Sequence, residues 1–197
     1  MVESVDENNM SALRERAVPM KPELDYWLSE PSMRVAHRRE SAAAPERLWE
    51  AARTVRLDDS GMLGRLIRLR IPGLPTGMSF DEMFHRPPFI VLTEDDDGAL
   101  ASGLVGRIWT LRRDYPQLHA PEEYEQWDQS GTAKVLFAIW IEPGSAERTA
   151  LCSEVRVRPI GVQGRLGVAA VRPLVSAFQQ LVGSEGIAAA VRLAERQ

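Results

Sequence analysis

The stretch from Ser145 onward constrains the fold most. It reads as one strand, Arg148 to Arg158, running directly into one long helix, from about Val162 to Arg196. In the strand, Thr149, Leu151, Ser153, Val155 and Val157 share one face, and Cys152, Glu154, Arg156 and Arg158 share the other. That alternation marks a half-buried strand. In the helix, Leu166, Ala170, Leu174, Phe178, Leu181 and Val182 recur at three- and four-residue spacing and form one apolar stripe. Ile187, Ala190, Val191 and Ala194 continue it. Pro173 removes a backbone donor, so it is expected to bend the helix or mark its true start. A second bend is expected at Gly183 to Gly186.

The elements upstream set the fold class. Ala133 to Ile141 is a strand, joined to the next by a turn at Glu142 to Ser145. Leu136, Ala138 and Trp140 occupy one of its faces, Phe137 and Ile139 the other, so both faces are apolar and both must be covered. Residues 111–130, a polar insertion with a short helix expected at Pro121 to Trp127, offer one cover; a homodimer offers the other. Met33 to Ala42 reads as the first strand. A helix opened by Pro45 follows, with Leu48, Trp49, Ala52 and Val55 as its stripe, then a second short helix, Met62 to Ile71, whose Arg65, Arg68 and Arg70 give it a basic, solvated side. Phe89 to Thr93 and Ala99 to Trp109 form a hairpin across Asp95 to Gly98. Consecutive antiparallel strands with clustered helices make an α+β layout: a curved antiparallel β-sheet wrapped around a long C-terminal helix, with two short helices after the first strand. Residues 1–24 read as a polar tail and 25–197 as a single domain.

Composition excludes several function classes. A net charge of −4 gives no case for nucleic acid. The basic residues are 22 Arg against Lys21 and Lys134, the pattern of a GC-rich genome. Cys152 is alone, so no internal disulfide forms. No apolar run reaches the roughly 18–20 residues of a membrane span, and acidic residues near Met1 do not suit a signal peptide. A cytoplasmic protein is expected. His37, His85 and His119 have no metal-ligand spacing, and the three aspartates from Asp95 read as a solvated turn. No cofactor or metal is called for.

Several motifs resemble the START-like superfamily, also called SRPBCC or helix-grip proteins. Ala42 to Trp49 resembles its strand-then-Ala-Pro opening. Ser102 to Trp109 is similar to a Gly-x-x-Gly-Arg-x-Trp strand of one bacterial branch, and Ser153 to Val157 to that branch's Thr-Glu-Thr-Arg-Val strand. Phe178 to Ile187 resembles its closing helix. The likeness spans about Met33 to Glu195. It departs at Ser153 and Val155, where threonines are usual, and at Gly164 to Val168, where a basic, aromatic-rich helix start is usual. The resemblance implies a seven-stranded sheet gripping the helix around an apolar cavity. Such proteins bind lipids, steroids, polyketides or hormones, and some catalyse cyclisation or dehydration.

The expected function is therefore binding of an apolar or amphipathic small molecule between sheet and C-terminal helix. Trp109, Phe137, Ile139, Val155 and Phe178 are the candidate lining residues. A polyketide cyclase or dehydratase-like enzyme would also need a polar pair in the cavity, with His85, Arg107 and Glu154 as candidates. An interaction module with a filled cavity is the third reading. Arg38, Glu40, Glu154 and Arg156 lie within strands and belong either to a paired network inside the cavity or to cross-strand pairs on the solvent face.

Overall fold

The computed structural model describes residues 21–56, 75, 77–110 and 115–196, with the side chains of 173–183 left out. The expected tail up to residue 20, the Met62 to Ile71 helix with its three arginines, and the Phe178 side chain lie outside the described residues. In chain order the elements are α1 (Leu24–Trp27), β1 (Met33–Ser41), α2 (Pro45–Thr54), α3 (Phe80–Phe84), β2 (Ile90–Asp95), β3 (Ala99–Gly106), α4 (Pro121–Glu125), β4 (Thr132–Pro143), β5 (Thr149–Ile160) and α5 (Gly161–Arg196).

The strands form one antiparallel sheet in the order β1-β5-β4-β3-β2. Five strands stand among the described residues, against the seven implied by the resemblance. Paired residues in an antiparallel ladder point to the same side, so the registers fix two faces. Val35, Val155 and Phe137 are successive partners on the inner face. Arg34, Arg156 and Leu136 are successive partners on the outer one.

Helix α5 packs on the inner face, mainly against β1 and β5, with α2 beside it. It is helical without interruption from Gly161 through residues 183–186 to Arg196, so Pro173 does not mark its start. Its first turns face the sheet with glycine, contrary to the expected stripe. A Cβ at Gly164 would meet the Thr132 carbonyl oxygen at 2.5 Å, and one at Gly167 would run into the Trp109 indole. That close approach turns Leu166 outward, 67% exposed, while Val168 is buried.

The outer face carries a second apolar layer. Leu24 and Leu28 from the α1 segment and Tyr124 from α4 pack with Leu136, Ala138, Trp140 and Cys152. Burying each leucine contributes about 1.5–3 kcal/mol relative to exposure. Both covers come from this chain: the insertion, as one of the two expected possibilities, and a segment at the edge of the expected tail. The second apolar face of β4 thus needs no second subunit.

Candidate functional site

A small cavity lies between the inner face of β3, β4 and β5, the helices α2 and α3, and the C-terminal half of α5. Its volume is about 60 Å³. Pockets for drug-sized ligands run to roughly 300–1,000 Å³, so the space is far smaller than a lipid or polyketide needs. Three of the expected lining residues, Phe137, Ile139 and Val155, do line it, joined by Trp49, Phe80, Phe84, Leu100, Ile187 and Ala190. Phe84, Phe89 and Phe137 form an aromatic cluster there, with ring centroids 5.4–5.6 Å apart.

Local sequence builds these walls. Pro45 stands in the first turn of α2, which places Trp49, Ala52 and Arg53 along one side. Helix α3 is opened by a capping box: the Ser79 hydroxyl accepts from the Glu82 amide at 3.1 Å, and the Glu82 carboxylate accepts from the Ser79 amide at 3.0 Å. The Phe80 amide donates to the Val55 carbonyl, which holds α3 against the end of α2. Ser102, on the cavity wall, has one hydroxyl proton to share between the Ile90 carbonyl at 2.9 Å and the Phe84 carbonyl at 3.2 Å, and so bridges the link between α3 and β2.

The rim is charged. Arg53 Nε lies 3.2 Å from Asp81 Oδ1, and its other nitrogens lie 3.8 Å from Glu94 and from Asp96. His85 Nδ1 is 2.8 Å from the Asp81 carbonyl oxygen, and Nε2 is 3.1 Å from a Glu94 carboxylate oxygen. A carbonyl only accepts, so Nδ1 carries a proton, and Nε2 bonds the Glu94 carboxylate when it is protonated as well. Burial works against a charged imidazole here. The Asp81 carbonyl and the Glu94 and Asp81 carboxylates outweigh it, and His85 titrates above the usual histidine value. Single ligand atoms of Asp81, His85 and Glu94 lie within 4.8 Å of one another, close enough to share a cation. Arg53 already neutralises both carboxylates, and a metal ion would have to displace it.

The candidate polar residues do not converge. His85 sits at the rim, connected to the cavity through Asp81 and Arg53. Arg107 is exposed just beyond β3. Trp109 is half-buried against Gly167, at the other end of α5 from the cavity-lining Ile187. Glu154 is on the opposite face of the sheet. It is neither in the cavity nor on solvent: with 2% exposure it is buried beneath the α1 segment, as is Arg156 at 4%. Arg34 Nε and Arg156 Nε pair with its Oε1 at 2.7 and 2.5 Å. Arg156 also reaches Asp25 and the Leu28 carbonyl. Arg38 and Glu40, on the same face nearer the β4–β5 turn, form exposed pairs with each other, Glu142 and Ser145. The four strand charges therefore divide between a buried network under a second layer and a solvated group.

Sequence reasoning placed Trp49 in the core without assigning it to the cavity, and missed α3 altogether. The signal was present: Ser79 followed by Glu82 in front of apolar residues is a capping-box pattern. His37 and Ser153 face each other in the β1–β5 ladder. Their inner-face position follows from the alternation that placed Val35 and Val155 there.

No protein-family model matches the chain, and no curated protein matches it. Two solved structures align with it over most of their length. Protein MLL2253 from Mesorhizobium loti is 13% identical, with a TM-score of 0.34 over 84% of this chain and 98% of that one. TTHA0849 from Thermus thermophilus is 11% identical, with a TM-score of 0.34 over 83% of this chain and 98% of that one. Among the described residues no helix is long and apolar enough to cross a membrane.

Proposed function

We propose that the chain binds a small apolar or amphipathic molecule in the cavity between the sheet and α5, in a helix-grip arrangement. The observation that carries this reading is an unfilled space walled by aromatic and aliphatic side chains, with charged groups confined to one rim. Apolar pockets with a few placed polar groups are the usual form of small-molecule sites. The occupant is small, or its entry moves α3 and the last turns of α5 apart.

An enzymatic role is the weaker reading, because His85, Arg107 and Glu154 stand at three separate places and supply no acid–base pair to one reacting atom. The filled-cavity interaction module is favoured by the small volume alone.

Methyl NMR separates these readings. A series of small hydrocarbons and ketones titrated into the protein should shift the methyl signals of Ile139, Val155 and Ile187. Those of Leu24, Leu28 and Leu136 on the other face should stay unmoved. A uniform response on both faces, or none, contradicts binding in the cavity.

A further inference from the structure

We infer, resting on the cavity-binding reading, that the occupant is a neutral molecule with a hydrogen-bonding oxygen: an apolar ketone, ester or alcohol held at Trp49 and Ser153, with His37 next to Ser153. Trp49 and Ser153 both line the cavity. Trp49 Nε1, Ser153 Oγ and His37 Nε2 are each shielded from solvent and have no hydrogen-bond partner among the described residues. Ser153 and His37 are directly opposed in the β1–β5 ladder, so their side chains stand together on the inner face.

Buried polar atoms in folded proteins are nearly always paired. Tyr124 Oη, beneath the outer layer, is a further unpaired atom among the described residues, but three other indoles of this chain follow the rule. Trp27 Nε1 donates to Thr93, Trp127 to Thr132 and Trp140 to Glu142. The Trp49 indole, whose residue is 6% exposed, is the exception beside a cavity. An indole N–H can only donate, so its missing partner is an acceptor. A serine hydroxyl and an imidazole can each donate or accept, which suits a carbonyl, an ester or a hydroxyl.

Charge excludes the other classes. Arg53 and Asp81 are the charged side chains among the described lining residues, and they are paired with each other at the rim. A carboxylate or ammonium seated at Trp49 would be buried without a counter-ion, which is strongly unfavourable.

Three ring compounds of similar size test the inference: cyclopentanone, methylcyclopentane and cyclopentanecarboxylate, titrated into the full chain by methyl NMR. Cyclopentanone should bind about tenfold more tightly than methylcyclopentane, as expected of one good hydrogen bond, and the carboxylate more weakly than either. In Trp49→Phe, which keeps an aromatic wall and removes the N–H, the ratio of ketone to hydrocarbon affinity should fall to about one, whatever the enlarged cavity does to either affinity alone. Ser153→Ala provides a second variant and should reduce the preference several-fold. Equal affinities for ketone and hydrocarbon in the wild type would mean that water alone satisfies these atoms. That result overturns the inference and leaves the cavity reading standing. A preference that survives both substitutions, or tightest binding of the carboxylate, also overturns it. If none of the three shifts the cavity methyls, the cavity reading fails and the inference fails with it.

Discussion

Arg156 donates from the middle of β5 to the carbonyl oxygen of Leu28 at 2.7 Å, across 128 positions of sequence. The same guanidinium holds Glu154 and Asp25. A charge deep in a strand thereby fastens the N-terminal α1 segment over the outer face of the sheet, and Leu24 and Leu28 are buried as a result.

The first prediction concerns that guanidinium. Arg156→Ala leaves the Glu154 carboxylate buried with half of its partners and frees the Leu28 carbonyl. Breaking a buried pair from one side costs about 3–5 kcal/mol. Urea unfolding near neutral pH should show a loss of this size, and a loss under about 1 kcal/mol, the scale of surface pairs, contradicts the network. Burial would raise the Glu154 carboxyl, but Arg34 and Arg156 together hold it below the usual value. Its contribution to stability is thus complete above the ordinary glutamate range and is lost as pH falls through the lowered value.

His85 gives a pH dependence of the opposite sign. Its folded-state value is raised, so the imidazolium stabilises the link from α3 to Glu94 fully below the ordinary histidine value. The contribution disappears as pH rises through the raised value. The melting-temperature gap between wild type and His85→Gln should be wider near about pH 5.5 than near about pH 8.5. An equal gap at both contradicts the rim geometry.

Lys134 is buried, at 1% exposure. Its Nζ donates to the Glu125 carbonyl at 2.9 Å and lies 4.6 Å from the Tyr124 ring centre. Burial pushes it down to about 8, so the folded state resists protonation that the unfolded chain accepts. Stability therefore rises with pH between about 8 and the ordinary lysine value. Lys134→Met removes the charge at the expense of one hydrogen bond and should stabilise the protein at neutral pH by about 1–2 kcal/mol. The gain should shrink as pH approaches about 10. Denaturant titrations at two pH values check both parts, and a destabilised variant contradicts the first.

Two glycines of α5 should respond oppositely to alanine. At Gly167 the methyl group collides with the Trp109 indole, and overpacking of this kind costs about 1–3 kcal/mol. At Gly186 the nearest atom is Phe80 Cζ at 3.6 Å, an ordinary contact, so the helix-propensity gain of up to about 1 kcal/mol is kept. Thermal melts of the two variants decide it.

Period-two alternation made the strands legible, and it put Phe137, Ile139 and Val155 on one face correctly. The uninterrupted α5 was less so. Proline and glycine discourage a helix locally, yet tertiary packing against β1, β5 and α2 outweighs that propensity over a long element. Leu166 was misplaced because spacing alone cannot reveal that the close approach is made through Gly164 and Gly167. Glu154 and Arg156 were hardest to place. Both expected locations assumed one buried face, whereas the cover over the outer face comes from α1, at the edge of what composition marks as a tail. The cavity volume was not legible at all, since it depends on how far α3 and α5 stand from the sheet.

Native mass spectrometry of the protein purified from its own host tests the central claim most directly. A neutral small molecule should accompany the wild-type chain, and Gly186→Leu, which projects a side chain toward Phe80 into the cavity, should lose it while remaining folded. A wild-type chain that carries nothing, or an adduct retained equally by Gly186→Leu, would contradict the assignment of the cavity as a binding site.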